Sequence, residues 1–274
     1  GAACDVVSYD YLPLLDELDY VPVNHYSRGP EIFAHCQAIA DKYNLYELSV
    51  FNTTVTETRW DDTDQLWHVS TDRGDVMRAQ FVICANGTLA KPKLSTISGM
   101  TSFSGHSFHT SRWDYDYTGK NLEHLKDKVV GIIGTGASAV QIVPELAKTA
   151  KEVYVFQRTP SSIDIRDDWP TDPNWARKLK PGWQSKRRSK LFAAVENSLE
   201  KRAAKGAVSP EDKLKKQENA NIDYMMRIHR RIDEIVDDQT TADALKPWYM
   251  FMCKRPCFHN EYLPSFNLPN VHLV

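Results

Sequence analysis

The sequence predicts an α/β fold built on a parallel sheet, and two observations carry that expectation. The first is the run Val129, Val130, Gly131, Ile132 and Ile133, short, branched and apolar, as a strand buried on both faces of such a sheet should be. The second is the order of the next elements. A glycine turn leads to a helix from Ala137 to Ala150, with Val140, Val143, Ala147 and Ala150 at helical spacing, and then to a second apolar strand, Val153 to Phe156. Pro144 lies inside that helix, where it deletes one backbone hydrogen bond, so a bend is expected there.

The turn itself reads Gly134, Thr135, Gly136, Ala137, Ser138, Ala139, a G-x-G-x-x-A pattern. The first glycine permits the sharp turn, the second lets backbone approach a pyrophosphate, and the small third residue lets the helix lie close to its strand. The helix N-terminus then offers partial positive charge and unpaired N–H groups to the phosphates. After the second strand come Gln157, Arg158 and Thr159, where an enzyme selective for NAD would place Asp or Glu. Arg158 read alone is a solvated strand-end residue. Within the ordered set of strand, glycines, helix and strand, its fixed fork of donors and permanent charge favour a ribose 2′-phosphate, and therefore NADP over NAD.

Upstream, Pro30 to Tyr43 reads as a helix with Pro at its start and Ile32, Phe33, Cys36, Ile39 and Ala40 on one packing stripe. Alternating segments near Val50 to Thr58 and Leu66 to Thr71, with polar turns at Asp61 to Gln65 and Asp72 to Asp75 leading to Val76, predict a small antiparallel sheet. Phe81 to Ala85 is expected to be a short strand ending in Asn86-Gly87, a turn able to take positive φ. Downstream, Asp164 to Trp183 is rich in Pro, Asp and Trp. Ser185 to Leu245 is highly charged with intermittent apolar residues (Leu191, Val195, Leu199, Ile222, Met225, Ile228, Ile232, Ile235), the signature of a helical insertion. Its basic run, Lys186 to Lys190, reads as a solvated helix face. Val271 to Val274 is a last apolar strand.

Composition narrows the function classes. With 274 residues and a net charge of −2 the chain can bury a sizeable core and has no long-range field to recruit nucleic acid or an anionic membrane. No apolar run approaches the roughly 20 residues that cross a bilayer. Five cysteines lack the spacing of a metal site or a dithiol pair, so no metal is expected and a reducing compartment, the cytoplasm, is.

Residues Phe103 to Asp114 read FSGHSFHTSRWD and fit F-x-G-x-x-x-H-x-x-x-W-[PD] at Phe103, Gly105, His109, Trp113 and Asp114. An accidental match is on the order of 10⁻⁵. The pattern resembles the fingerprint of Baeyer-Villiger monooxygenases, and Gly1, Cys4 and Asp5 resemble that family's G-x-x-C-D segment, with Ala3 where the family often has Arg. The resemblance covers nearly the whole chain and is weakest in the helical insertion. It implies two interleaved Rossmann-like dinucleotide-binding domains, one for FAD, incomplete here, and one for NADP. Residues 1–117 would form the partial FAD domain with the small sheet and the fingerprint linker, 118–253 the NADP domain with an insertion at about 164–246, and 254–274 a return segment to the FAD domain.

The resemblance also implies the chemistry. NADPH reduces FAD, O₂ adds to give a flavin C4a-peroxide, and attack on a ketone carbonyl yields an ester or lactone. Arg255 occupies the position of the cation that stabilises the anionic oxygen, Asp5 that of its orienting carboxylate, and Lys254 would join Arg158 and Thr159 near the 2′-phosphate. Asn86 and Gly87 match a turn that passes close to FAD in the wider class, although Asn86 reads equally well as an ordinary turn residue. His109 and Trp113 would serve the junction between domains, and Asp114 would cap or brace it, none of them transferring a proton. The partners implied are a small-molecule ketone and O₂.

Two alternatives stand beside this reading. An N- or S-oxygenating flavin monooxygenase shares the layout but has a differently spaced fingerprint, and a non-catalytic NADP-binding module would need only the glycine turn and Arg158. A disulfide reductase would need a closely spaced cysteine pair beside the flavin, and Cys253 and Cys257 are separated by three residues.

Overall fold

The computed structural model describes residues 3, 5–87, 91–190, 193, 210–251 and 253–274, the side chains of 210–214, 216 and 217 excepted. The chain divides into two compact units, one of residues 1–36 and 114–274, the other Gln37–Trp113.

In the first unit the helices are α1 (Ser8–Tyr11), α2 (Gly29–Lys42, whose last turns pass into the second unit), α3 (Tyr115–Thr118), α4 (Ala137–Ala147), α5 (Pro173–Ala176), α6 (described over 183–190), α7 (Pro210–Ile235), α8 (Gln239–Leu245) and α9 (Tyr262–Ser265). The second unit holds strands β1 (Val55–Asp61), β2 (Leu66–Thr71) and β3 (Val76–Ala79). The first holds β4 (Val129–Ile133), β5 (Glu152–Phe156), β6 (Ile163–Asp164), β7 (Cys257–Phe258) and β8 (Val271–Leu273).

The expected parallel sheet forms, in the order β4-β5-β8. Val153 and Val155 on β5 are fully buried because they point at α4, whose Val140, Val143 and Leu146 fill the other side of the same core. Burying a side chain such as Val143 stabilises by about 1.5–3 kcal/mol. The insertion is not a separate lobe, since Ile228 and Ile232 of α7 and Leu245 of α8 belong to this core as well. Of the intermittent apolar residues in this region Ile222 is exposed, and Leu191, Val195 and Leu199 lie outside the described residues.

Two expectations are corrected. Among the described residues β4 lies at the edge of its sheet and is not buried on both faces: Val129 and Ile133 are 62% and 61% exposed while Val130 and Ile132 turn inward. The helix at Gly29–Lys42 forms, but its buried side chain is His35, fixed by a 2.7 Å hydrogen bond between its ring Nε2 and the Pro13 carbonyl, and Phe33 and Cys36 of the apolar stripe are exposed. The last strand pairs with β5, Val153 opposite Val271, as the third strand of the parallel sheet.

Residues 1–36 also belong with 114–274 rather than with the small sheet. Buried Gln184 on α6 accepts the Leu15 N–H and donates to the Tyr9 and Leu12 carbonyls, and Arg187 clasps Asp10 through two nitrogens at 2.8 and 2.9 Å. Part of the basic run is thus a bracket for the N-terminal segment.

In the second unit β1, β2 and β3 form the expected antiparallel sheet, with Trp60 opposite Trp67 and Val69 opposite Met77. Phe81–Ala85 is not a strand. No described strand runs beside it, so its backbone groups have no ladder to join, and Phe81 and Ile83 stand 83% and 90% exposed.

Candidate functional site

The glycine turn is built as the spacing requires. Gly134 has φ +98°, a conformation that side chains resist, and its N–H donates to the Phe156 carbonyl at 2.9 Å, which lashes the turn to the end of β5. Gly136 is the N-cap of α4 with no side-chain cap, so the first N–H groups of the helix remain open. A Cβ at either glycine would meet no atom within 4 Å. That open space over uncapped N–H groups fits a pyrophosphate, and Ala137 and Ser138 beside it are exposed while Ala139 packs inward.

Arg158 and Thr159 come directly after β5. Arg158 is exposed and makes no ion pair or hydrogen bond to the described residues, so its guanidinium is open to a ligand. Thr135, expected to touch the cofactor, is buried. Its hydroxyl donates to the Thr159 carbonyl at 2.8 Å.

Arg255 and Asp5, from opposite ends of the chain, meet. Nε of Arg255 donates to Asp5 Oδ2 at 3.0 Å, and a terminal nitrogen donates to Oδ1 at 2.9 Å and Oδ2 at 2.7 Å. Lys254, just before it, holds its ammonium 5.7 Å from the centre of the Tyr249 ring. Pairing of β6 with β7, Ile163 opposite Cys257, brings this segment beside the chain that leaves Thr159. Burial pushes the Cys257 thiol up to about 11, with the Asp5 carboxylate adding to the rise and Arg255 opposing it. The thiol is therefore protonated at neutral pH and no nucleophile. Cys4 lies outside the described residues, and the described cysteines form no disulfide.

The fingerprint residues are local braces. His109 accepts the Ser111 N–H at 3.1 Å and caps the turn Thr110–Arg112, Trp113 meets Phe108 edge-on at 5.1 Å, and the Phe103 ring lies where a Cβ on Gly105 would sit. Asp114 accepts the Tyr117 N–H and caps α3. Asn86 is exposed, and Gly87 takes φ +68° with open space where its Cβ would be, a fit to a ligand lying against the turn. The residues missed in the sequence are Ser161, Gln184 and Gln141. Gln141 accepts the Ala3 N–H at 2.8 Å and donates to the Ala137 carbonyl, tying the segment before Asp5 to the first turn of α4. A lone polar residue carries no periodic or motif signal by which these could have been found.

Among the described residues no helix is long and apolar enough to cross a membrane. A family model described as pyridine nucleotide-disulphide oxidoreductase matches residues 18–227. The chain is 48% identical to "Baeyer-Villiger monooxygenase ATR8" of Stachybotrys chlorohalonatus, over all of this chain and 48% of that protein. It is 48% identical to "Neopentalenolactone D synthase" of Streptomyces avermitilis, over all of this chain and 50% of that protein. Among solved structures, a polycyclic ketone monooxygenase from Thermothelomyces thermophila superposes with a TM-score of 0.87 at 38% identity, covering all of this chain and 50% of that one. OTEMO in complex with FAD and NADP gives a TM-score of 0.81 at 27% identity, covering all of this chain and 56% of that one. The chain spans about half the length of the curated relatives it matches.

Proposed function

Because the chain belongs to the pyridine nucleotide-disulphide oxidoreductase family, among its Baeyer-Villiger monooxygenases, we propose that it serves an NADPH- and FAD-dependent enzyme that inserts one oxygen atom of O₂ next to a ketone carbonyl, giving an ester or lactone. The observation that carries the proposal is the clasp of Arg255 by Asp5. A guanidinium oriented by a carboxylate is a fixed, permanent positive charge, which is what a developing negative charge on oxygen needs.

The chain's own residues divide the work of binding. The open N–H groups of α4 receive the coenzyme's pyrophosphate, and Gly134 and Gly136 leave room for it. Arg158 pairs with the ribose 2′-phosphate as a bidentate donor, with the Thr159 side chain and Lys254 beside it. Asn86 and Gly87 lie against FAD, and the fingerprint residues Phe103 to Asp114 brace the link between the dinucleotide domains. FAD, when bound, supplies the hydride acceptor and the activation of O₂. Asp5 holds Arg255 in one orientation, so no reorganisation is needed as charge develops.

The test is spectroscopic and chemical. Purified protein should bind flavin, bleach on addition of NADPH rather than NADH, and convert a cyclic ketone to a product 16 mass units heavier that hydrolyses as a lactone. Oxidation at nitrogen or sulfur with no lactone would favour the heteroatom-oxygenating reading, and a colourless protein that still binds NADPH would reduce the function to a binding module.

A further inference from the structure

We propose that Thr135 and Ser161 set the preference for NADPH over NADH by acting as positioning residues that clamp the loop bearing Arg158 to the glycine turn. The inference rests on the reading of Arg158 as the 2′-phosphate ligand and assigns the discrimination to side chains that face the protein. Three hydrogen bonds tie the end of β5 and the residues after it to the turn: Gly134 N–H to the Phe156 carbonyl at 2.9 Å, the Thr135 hydroxyl to the Thr159 carbonyl at 2.8 Å, and the Ser161 hydroxyl to the Thr135 carbonyl. They fall at 156, 159 and 161 and so straddle Arg158. Gln157 is pinned independently, its N–H donating to the Val274 carbonyl at 2.7 Å and its side chain to the Ala244 carbonyl at 2.8 Å. Between these anchors the Arg158 side chain is exposed and makes no hydrogen bond or ion pair to the described residues.

The arrangement has a chemical consequence. A long, flexible guanidinium loses rotamer entropy when it binds a phosphate, and a backbone fixed on both sides of it removes one source of further loss. Thr135 is buried and its hydroxyl hydrogen is committed to Thr159, so it bonds the loop rather than donating to the phosphates. The clamp also reaches the other basic residue. Ser162 donates its N–H to the Tyr249 hydroxyl at 3.1 Å and accepts the Cys257 N–H at 2.9 Å, and the Tyr249 ring lies under the ammonium of Lys254. One short stretch, 159–162, thereby connects the glycine turn to both cations of the proposed phosphate pocket.

The experiment is an equilibrium titration of the full chain with NADPH, NADH, 2′,5′-ADP and 5′-AMP, which requires no turnover. Thr135→Val keeps the shape and deletes the hydroxyl. It should weaken NADPH and 2′,5′-ADP by about tenfold, the size of one lost hydrogen bond, and leave NADH and 5′-AMP within twofold. Ser161→Ala should shift the same two ligands in the same direction, Thr135→Ser should restore wild-type selectivity, and Thr135→Val should add nothing in an Arg158→Ala background. Equal weakening of all four ligands by Thr135→Val, or no weakening of any, would overturn the inference. If Arg158→Ala itself leaves the ratio of NADPH to NADH affinity unchanged, the underlying reading of Arg158 fails, and that result is separable from the first.

Discussion

The guanidinium of Arg255 grips the carboxylate of Asp5 through two nitrogens across 250 positions of sequence, yet its side chain stays 71% exposed while that of Asp5 is 31% exposed. Those two facts separate function from stability. A pair so open to solvent contributes only about 0.2–1 kcal/mol to folding. Arg255→Ala should therefore move the urea midpoint little, while turnover of the flavin enzyme falls by about 10²–10³ if the charge stabilises the reacting oxygen. Asp5→Asn should lie between, and Arg255→Lys, which keeps charge but loses the fork, should resemble Asp5→Asn. Parallel denaturation curves and ketone turnover decide it: a large stability loss with intact turnover would make the pair a structural strut.

Arg158 gives a second separation, this time between coenzymes. Its guanidinium has no partner to lose among the described residues, so Arg158→Ala should leave folding unchanged and weaken NADPH by about 10–100-fold, the range for hydrogen bonds to a charged group. NADH affinity should not move. Fluorescence titration of both coenzymes checks this, and equal losses would place Arg158 on a part of the ligand common to the two.

The strand–turn–helix–strand unit is readable in the sequence because every residue in it answers to a local rule: period and branching for β4 and β5, φ for Gly134, spacing for α4. The failures all concern the surroundings of an element. Val129 and Ile133 look like buried strand residues, but burial belongs to the neighbours, and β4 has a strand on one side only among the described residues. Phe81–Ala85 has strand composition and no described ladder to join. His35, buried on α2, interrupts an apolar stripe that composition alone assigns to the core. In the candidate site the resemblance puts Arg255 and Asp5 in one place and the fold brings them together, whereas Thr135, which the motif assigns to the ligand, bonds the loop instead. The direction a hydroxyl points is a tertiary fact that no motif encodes.

The two glycines of the turn should respond differently to substitution. Gly134 sits at φ +98°, so Gly134→Ala should destabilise the chain by about 1–3 kcal/mol through backbone strain alone. Gly136 has φ −75° and caps α4, so Gly136→Ser should hold or slightly raise stability, by a few tenths of a kcal/mol, because serine is a good N-cap. Its side chain would nevertheless enter the open space over the helix N-terminus. NADPH affinity should fall by more than about tenfold in a fully folded protein, the size of one lost hydrogen bond. Calorimetric binding alongside a thermal melt checks both halves, and undiminished affinity in Gly136→Ser would place the pyrophosphate elsewhere.

Acid should loosen the segment after β7. His259 is held below the usual histidine range, chiefly by burial, with the positive charges of Arg166 and Lys148 adding to the effect and the carboxylates of Glu261 and Glu145 opposing it. Its ring Nδ1 accepts the Glu261 N–H at 3.1 Å, a bond that protonation of that nitrogen destroys. Because the folded value is lowered relative to the unfolded one, near 6.5, the native state binds fewer protons at mildly acidic pH. The stability His259 contributes is full above about pH 6.5 and is lost as pH falls through the folded value. Urea unfolding at pH 7.5 and 5.5 should show a larger drop in midpoint for the wild type than for His259→Asn, whose amide oxygen can accept the same N–H without titrating. Equal drops in the two proteins would show that acid acts elsewhere.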